Sequence, residues 1–579
     1  MKKKWVEIRK GADFNRIAAD FSISPYTARI IRNRGAETNE QIEMYLNGDL
    51  SMMHDPALLR DMDTAASILE EAIEAQVGIR IIGDYDIDGI CASYILKKGI
   101  VNAGGTADVR LPERVRDGYG INGDMVKIAY DDGIELIITC DNGIAAQKEV
   151  EYALSLGMSV IVTDHHEVPY EIQNGEKKYD IPCADAVIDP KRPDCSYPFE
   201  GICGAMVAYK LISYMYMNRS IGETVAEREK LLDEFLSFAA FATVGDMMEL
   251  TDENRIAVRY GLGILKNTDN VGMRALIETK GLGGCDITAY HIGFVLGPCI
   301  NATGRLETAD AALELFECTD RDAALTKAKE LSAINDSRKN LTDAFTKRAI
   351  KEVAEKYPDD RVIVVYMPEC HESIAGLVAG KIKEEYYRPA IVLANGADGN
   401  LKGSGRSIES YNMFEELSRI REMFTKFGGH KMAAGLSLPE GSADELRIRL
   451  NENCTLTDDD LVKKYMIDIP LPVGYINERF VTELSRLEPF GIANPGPLFA
   501  QKDVPIRSIR LAGEKCLKMT LEGKDPAGHL RGVDAVCFND AASAYEELKD
   551  RKSVSILYQA GFNEYNGRRS VQLTVKDWF

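Results

Sequence analysis

The segment GIRIIGDYDIDG (78–89) joins a β-branched run to three alternating carboxylates and a glycine, and the apolar helical run ICASYIL (90–96) follows at once. A strand that stops on acidic residues and turns straight into a helix is the repeating unit of a mostly parallel, doubly wound sheet. The same pattern recurs outward. ADVRLPE (107–113), ELIITCD (135–141), MSVIVTDHH (158–166) and ADAVID (184–189) read as further strands, with helices AASILEEAIEAQ (65–76) and AAQKEVEYALSLG (145–157) between them. Ligands of such sheets bind beyond the carboxyl ends of the strands. Asp84, Asp141 and the run Asp164-His165-His166 end three of these strands, which places charged groups from separate segments on one rim.

Beyond this unit, residues 225–245 read as a helix, apolar in its second half, that stops near Asp246. A long helical stretch from Arg321 to Lys356, closed by Pro358, suits a connector. A second αβ unit follows, with strands VIVVYM (362–367) and AIVLAN (390–395) and the glycine-rich KGSGRS (402–407) and FGGHKMAAG (427–435). After residue 456 the chain turns strand-rich, through PIRSIRLA (505–512), CLKMTLEG (516–523), VDAVCF (533–538), SVSILYQA (553–560) and SVQLTVKDWF (570–579). That pattern suits a small OB-type barrel. The expected organisation is α/β: an N-terminal segment (1–60), a parallel-sheet domain (61–320), a connector helix (321–357), a second α/β domain (358–455) and a β-barrel (456–579).

Composition narrows the class. The 579 residues carry 70 Lys+Arg against 91 Asp+Glu, a net charge of −21, which excludes a protein that coats nucleic acid by bulk positive charge but not a local basic groove. Residues 456–579 are nearly neutral, with 17 basic and 18 acidic side chains. Twelve scattered cysteines without a C-x-x-C pair read as reduced thiols. The start MKKKWVEIRKGADF leads into no apolar h-region, and no run of 18 apolar residues occurs, so a soluble, cytoplasmic chain without a membrane partner is expected.

The carboxylates carry the chemistry. Clustering Asp84, Asp86 and Asp88 is repulsive unless a cation compensates. An EF-hand would need Glu at its twelfth position, where Ile95 stands, and a zincin H-E-x-x-H would need His where Tyr170 stands. With Asp141, His165, His166 and Asp246 added, the set is rich in oxygen and imidazole, which suits Mn²⁺ or Mg²⁺. So many carboxylates exceed the need of one ion. Two ions about 3.5–4 Å apart, sharing one Asp, usually serve in-line attack on phosphorus. Arg305, Ser404 and Arg406 offer forked donors for a phosphate, and Gly428, Gly429 and His430 allow close approach. Gly118, Gly120 and Gly123 spell G-x-G-x-x-G but follow the charged ERVRD instead of a buried strand, so no dinucleotide site is expected. Tyr565, Arg568 and Arg569 suit either a base-stacking OB surface or a solvated hairpin tip.

DYDIDG, ITCDNG, TDHHE and TVGDMMEL, in this order, resemble the DHH phosphoesterase superfamily, named for the Asp-His-His at 164–166. VLGPCINATGR (295–305), CHESIAGLVAGKI (370–382), KGSGRS and FGGHKMAAG resemble its RecJ branch with a DHHA1 domain. EPFGIANPGPLF (488–499) and NEYNGRRSVQL (563–573) resemble that branch's OB region; the first 45 residues carry little signal. The resemblance implies a 5′→3′ exonuclease that degrades single-stranded DNA to mononucleotides in recombination and repair. Carried over, Asp86, Asp88, Asp141, His165 and Asp246 hold two metal ions, with Asp84 in the same motif and Asp141 bridging. His166 contacts the scissile phosphate, and Arg305, Ser404, Arg406, Gly429 and His430 help read the 5′ end. A monomer is expected, supplied with substrate by a helicase and a single-strand-binding protein. Two alternatives are a nano-RNase or nucleotide phosphatase, which lacks the OB module, and a non-catalytic replication scaffold, which loses metal ligands.

Four positions depart from the family pattern. Ile87 replaces a small residue, Cys140 a common Val and Asp189 the usual Asn, while Cys299 replaces an Arg and so removes a cation near the expected DNA path.

Overall fold

The computed structural model describes residues 3–114, 116–218, 224–396, 398–513, 515–538, 540–565 and 568–579. The five anticipated strands form one all-parallel sheet: β1 (Gly78–Ile82), β2 (Thr106–Arg110), β3 (Leu136–Cys140), β4 (Ser159–Thr163) and β5 (Ala186–Ile188), in the order β2-β1-β3-β4-β5. β3 is buried throughout, as β-branched runs covered by helices on both faces must be. Strand order reverses between β1 and β3, so the crevice beyond their carboxyl ends is the topological switch point. Asp84 and Asp141 stand there.

Helix α1 (Ile87–Asn102) leaves the acidic turn under the cap of Asp86, whose carboxylate accepts the amides of Asp88 and Gly89. Helices α2 (Gly204–Asn218) and α3 (Val225–Gly245) pack beside it, and α4 (Gly297–Leu306) closes the rim. The connector is a single helix, α5 (Arg321–Lys356). The second domain holds β6 (Ile363–Tyr366), β7 (Ala390–Asn395), β8 (Leu401–Arg406), β9 (Lys426–His430) and β10 (Ala433–Leu438), ordered β9-β10-β8-β7-β6. Both glycine-rich segments, KGSGRS and FGGHKMAAG, thus lie on strands.

The barrel uses β11 (Phe499–Leu511), β12 (Leu517–Lys524), β13 (Leu530–Cys537), β14 (Ser553–Tyr565) and β15 (Arg568–Trp578), and closes because β14 returns to β11. Arg568 and Arg569 begin β15 at the tip of the β14–β15 hairpin; the side chain of Tyr565 lies outside the described residues. The N-terminal residues are part of this body. Lys3–Glu7 pairs in parallel with Lys463–Ile467, and Ile30, Ile31, Ile42 and Leu46 join one core with Phe499, Leu517 and Ile556. Arg34 makes a buried, forked pair with Asp468 at 2.7 and 2.9 Å.

One buried cation ties this body to the parallel-sheet domain. Arg255 donates to the carbonyls of Tyr45 (2.8 Å), Leu487 (2.9 Å), Arg486 (3.2 Å) and Glu488 (2.8 Å), with its guanidinium 4.0 Å from the Tyr45 ring centroid. Arg255→Ala strips donors from buried carbonyls and costs at least about 3 kcal/mol. In calorimetry the N-terminal/barrel body is expected to melt as a separate, earlier transition. An unchanged unfolding profile would show that the contact does not couple the two bodies.

Candidate metal centre and phosphate pocket

The acidic turn is held in place by backbone donors that offset its crowding. Asp84 is buried, with Oδ1 receiving the Gly120 amide at 3.3 Å, while Oδ2 has no hydrogen-bond partner. Asp88 accepts the Gly204 and Ala205 amides at 2.6 and 2.8 Å, the N-terminus of α2. Asp141 sits at φ 59°, a left-handed conformation beside Gly204, where a Cβ would lie 2.7 Å from the Asp141 Cβ. Asp246 caps the end of α3.

Histidines from the turn after β4 complete the cluster. His165 Nε2 lies 3.1 Å from Asp141, 3.5 Å from Asp88 and 4.0 Å from Asp246, and its buried Nδ1 has no partner. His166 Nδ1 donates to Asp164 at 2.7 Å. Asp164 also takes the amides of Ile144, His165 and His166, so it orients the turn. Three overlapping donor sets result: Asp84, Asp86 and Asp141; Asp88, His165 and Asp246; and Asp141, His165 and His166. Within each set the ligand atoms lie within 4.8 Å of one another.

The electrostatics follow from burial. Desolvation and then the neighbouring Asp charges push Asp84, Asp86 and Asp141 above the usual carboxylate range, and Asp246 to about 8. Burial lowers His165. Burial also opposes the charges on Asp164 and His166, yet their mutual hydrogen bond wins: Asp164 falls, and His166 rises to about 9.

Opposite the carboxylates stands a group of guanidiniums. Arg305, on α4, donates to the Ser373 carbonyl at 2.7 Å; burial first, then the charges of Arg114 and Arg338, lowers it to about 10. Arg406, on β8, donates to Ser404 Oγ at 3.1 Å, and burial followed by Arg114 lowers it. Arg114 stacks 5.0 Å from the centroid of Tyr85. Gly304 brings α4 against the Tyr85 carbonyl, where a Cβ would intrude to 2.4 Å, and Asn301 accepts the Ile87 amide at 2.8 Å. The acidic turn therefore touches both charge groups. Gly429 and His430 lie on exposed β9, and among the described residues no side-chain hydrogen bond or ion pair ties them to the rest.

Residues 78–243 match the DHH family, N-terminal domain; residues 359–455 match the DHHA1 domain; and residues 467–577 match the RecJ OB domain. The chain is 34% identical over 582 residues to the single-stranded-DNA-specific exonuclease RecJ of Bacillus subtilis, covering 100% of this chain and 71% of that protein. The chain belongs to the RecJ family. Its fold matches the crystal structure of RecJ from Thermus thermophilus in complex with Mn²⁺, with TM-score 0.82, 26% identity and coverage of 100% of this chain and 79% of that one. The Mg²⁺ complex from the same organism matches with TM-score 0.76 at 25% identity, over 100% and 78% of the two chains.

The donor set fits the cations of those RecJ structures. Hard oxygen ligands with one imidazole suit Mn²⁺ or Mg²⁺, and the orphaned Asp84 Oδ2 is a buried acceptor that a cation would satisfy.

The side chains at all four departures from the RecJ pattern are buried. Ile87 fits because Gly245 and Gly297 face it; a Cβ on Gly245 would lie 2.5 Å from Ile87 Cδ1. Cys140 is buried against Ser93 Oγ at 3.4 Å. Asp189 is buried and raised to about 7, first by desolvation and then by Asp164. Cys299 is fully buried, 3.6 Å from Asn335 of α5, so its side chain faces the connector. Arg114, Asn301, Arg338 and Tyr119 escape the motif reading. For Asn301 the signal was present in VLGPCINATGR; for Tyr119 it lay inside the discarded glycine run.

Proposed function

We propose that this chain is a metal-dependent exonuclease specific for single-stranded DNA, which it degrades from the 5′ end to 5′-mononucleotides in recombination and repair. The observation that carries the reading is the meeting of the carboxylate cluster and the arginine cluster at Tyr85. The RecJ relatives, described as single-stranded-DNA-specific exonucleases, support the substrate. A match to the RecJ OB domain weighs against a nano-RNase or nucleotide phosphatase, and a full set of ligands weighs against a scaffold.

Asp84, Asp86, Asp88, Asp141, His165 and Asp246 would hold two Mn²⁺ or Mg²⁺ ions, which supply Lewis-acid polarisation of a phosphoryl oxygen and a water of lowered pKa. Asp141 shares one donor set with Asp84 and Asp86 and lies 3.1 Å from His165 of the set with Asp88 and Asp246, and its two oxygens would let it take the bridging place. With Nδ1 bound to Asp164, His166 keeps Nε2 for a non-bridging oxygen of the scissile phosphate. That tether sets His166 apart from the ligands, although one donor set also includes it. Arg305, Ser404 and Arg406, joined by Arg114, take the terminal 5′ phosphate through charge-assisted bonds. Gly429 and His430 border that end of the strand. On the barrel, Arg479, Arg531 and Arg569 line a cavity of about 570 Å³ suited to track the phosphodiester backbone. Among the described residues no helix is long and apolar enough to cross a membrane. We place the enzyme in the cytoplasm as a monomer, with a helicase and a single-strand-binding protein supplying its substrate.

The test uses Mn²⁺ with 5′- and 3′-labelled single-stranded and duplex DNA. Label is expected to leave the 5′ end first and from single strands only. Release from the 3′ end first, or equal attack on blunt duplex, would overturn polarity or strand selectivity. Arg406→Ala should raise KM for 5′-phosphorylated strands about 10- to 100-fold, the worth of a charge-assisted hydrogen bond, while 5′-hydroxyl strands change little. Equal losses on both substrates would remove the terminal-phosphate role.

A further inference from the structure

The glycine run that fails as a dinucleotide loop lies across the metal centre. Gly118 and Gly120 adopt φ +86° and +66°, and a Cβ on Gly120 would come within 2.8 Å of the Asn142 side chain. These two turns carry the segment over the rim, where the Gly120 amide meets Asp84 and the Ile121 amide donates to Asn142 Oδ1 at 3.1 Å. Between them, Tyr119 Oη donates to the Asp141 backbone carbonyl at 2.6 Å. The same oxygen lies 3.3 and 3.2 Å from Nδ1 and Nε2 of His166, nearly equidistant and so against the ring face, which leaves Nε2–H free for the phosphate. The tyrosine ring stands edge-on to the imidazole, at 5.6 Å and 77°, and to Tyr85, at 6.5 Å and 88°.

His166 is consequently gripped from two sides. Asp164 holds Nδ1, and the Tyr119 hydroxyl, anchored on a carbonyl that cannot move without moving Asp141, abuts the ring. Without the second contact the half-exposed imidazole could swing about its side-chain torsions while keeping one bond to Asp164. We propose that Tyr119 is a positioning residue for His166, holding the imidazole in the orientation that meets the scissile phosphate. This rests on the reading of His166 as the phosphate contact. The exposed tyrosine ring, beside Tyr85, also gives the terminal nucleotide an aromatic edge to lie against.

Tyr119→Phe keeps the ring and removes the hydroxyl, so the expected result is a kcat loss of about 10-fold with KM within about twofold. Tyr119→Ala should add a rise in KM. Half-saturating Mn²⁺ and the melting temperature should match the parent for Tyr119→Phe. In a His166→Ala background, Tyr119→Phe should cause no further loss, because a residue acting through another is silent once that other is gone. Wild-type kcat in Tyr119→Phe, or an additive loss in the double variant, overturns the proposal while the role of His166 stands. A defect repaired by saturating Mn²⁺ also overturns it, since the hydroxyl would then act through Asp141. Full activity in His166→Ala removes the underlying reading and the proposal with it.

Discussion

Asp141→Asn is expected to lower hydrolysis of single-stranded DNA by about 10³- to 10⁴-fold, yet to raise the melting temperature of the metal-free protein. The two effects share one cause. Asp141 stands in one donor set with Asp84 and Asp86 and lies 3.1 Å from His165 of the set with Asp88 and Asp246, so on the proposed assignment its loss would affect both ion positions together. On the proposed bridging assignment, losing a charge worth several kcal/mol of transition-state stabilisation would correspond to three or four decades in rate. Without metal, the same carboxylate is a liability: it is buried and raised first by desolvation and then by Asp88, Asp86, Asp84 and Asp246. Removing its charge relieves that repulsion. Asn keeps the shape needed beside Gly204 and tolerates the left-handed backbone at φ 59° better than most residues. Activity on labelled DNA and a melt in chelator test the two halves separately. Retained activity would remove the bridging assignment; a destabilised metal-free variant would show that Asp141 is structural first.

Legibility along the chain followed the range of the interactions. The parallel strands read directly because burial on both faces demands apolar runs, as at Leu136–Cys140, and their polar ends mark the rim. Asp246 was visible because an apolar helix ended on it. The N-terminal helices were opaque for the opposite reason. They are eight or nine residues long, and the partners of Ile30, Ile31 and Leu46 lie more than 400 positions away in the barrel. Arg255 carries no motif, since its acceptors are backbone carbonyls that any residue could supply. The surroundings of Cys299 were hidden because its neighbour Asn335 lies on the connector, which no local pattern reveals. Tyr119 was lost inside a glycine spacing tested only for the strand context of a nucleotide loop.

Metal binding should stabilise the protein more at pH 8 than at pH 6, and the sign follows from the carboxylates. Asp84, Asp86 and Asp141 are held above the ordinary value near 4, and Asp246 at about 8. For a group raised on folding, the stabilising contribution is complete below the unfolded pKa and disappears as pH rises through the folded one. His166, raised to about 9, acts in the same direction above its unfolded value near 6.5. The lowered His165 and Asp164 act oppositely, but their windows lie below about pH 6.5. Metal-free protein therefore loses stability between pH 6 and 8 as Asp246 ionises among the neighbouring carboxyl groups. Divalent cations convert that repulsion into ligation and displace the protons, so affinity climbs with pH. At a hundredfold excess over Kd the ions contribute about 2.7 kcal/mol, a rise of roughly 5–10 °C in the transition of the parallel-sheet domain. Melts with Mn²⁺ and with chelator at pH 6, 7 and 8, together with proton release measured by calorimetry in two buffers, decide the matter. A Mn²⁺-induced shift that is equal at every pH, with no proton released, would mean that the carboxylates are already ionised and that the crowding at the switch point stores no such repulsion.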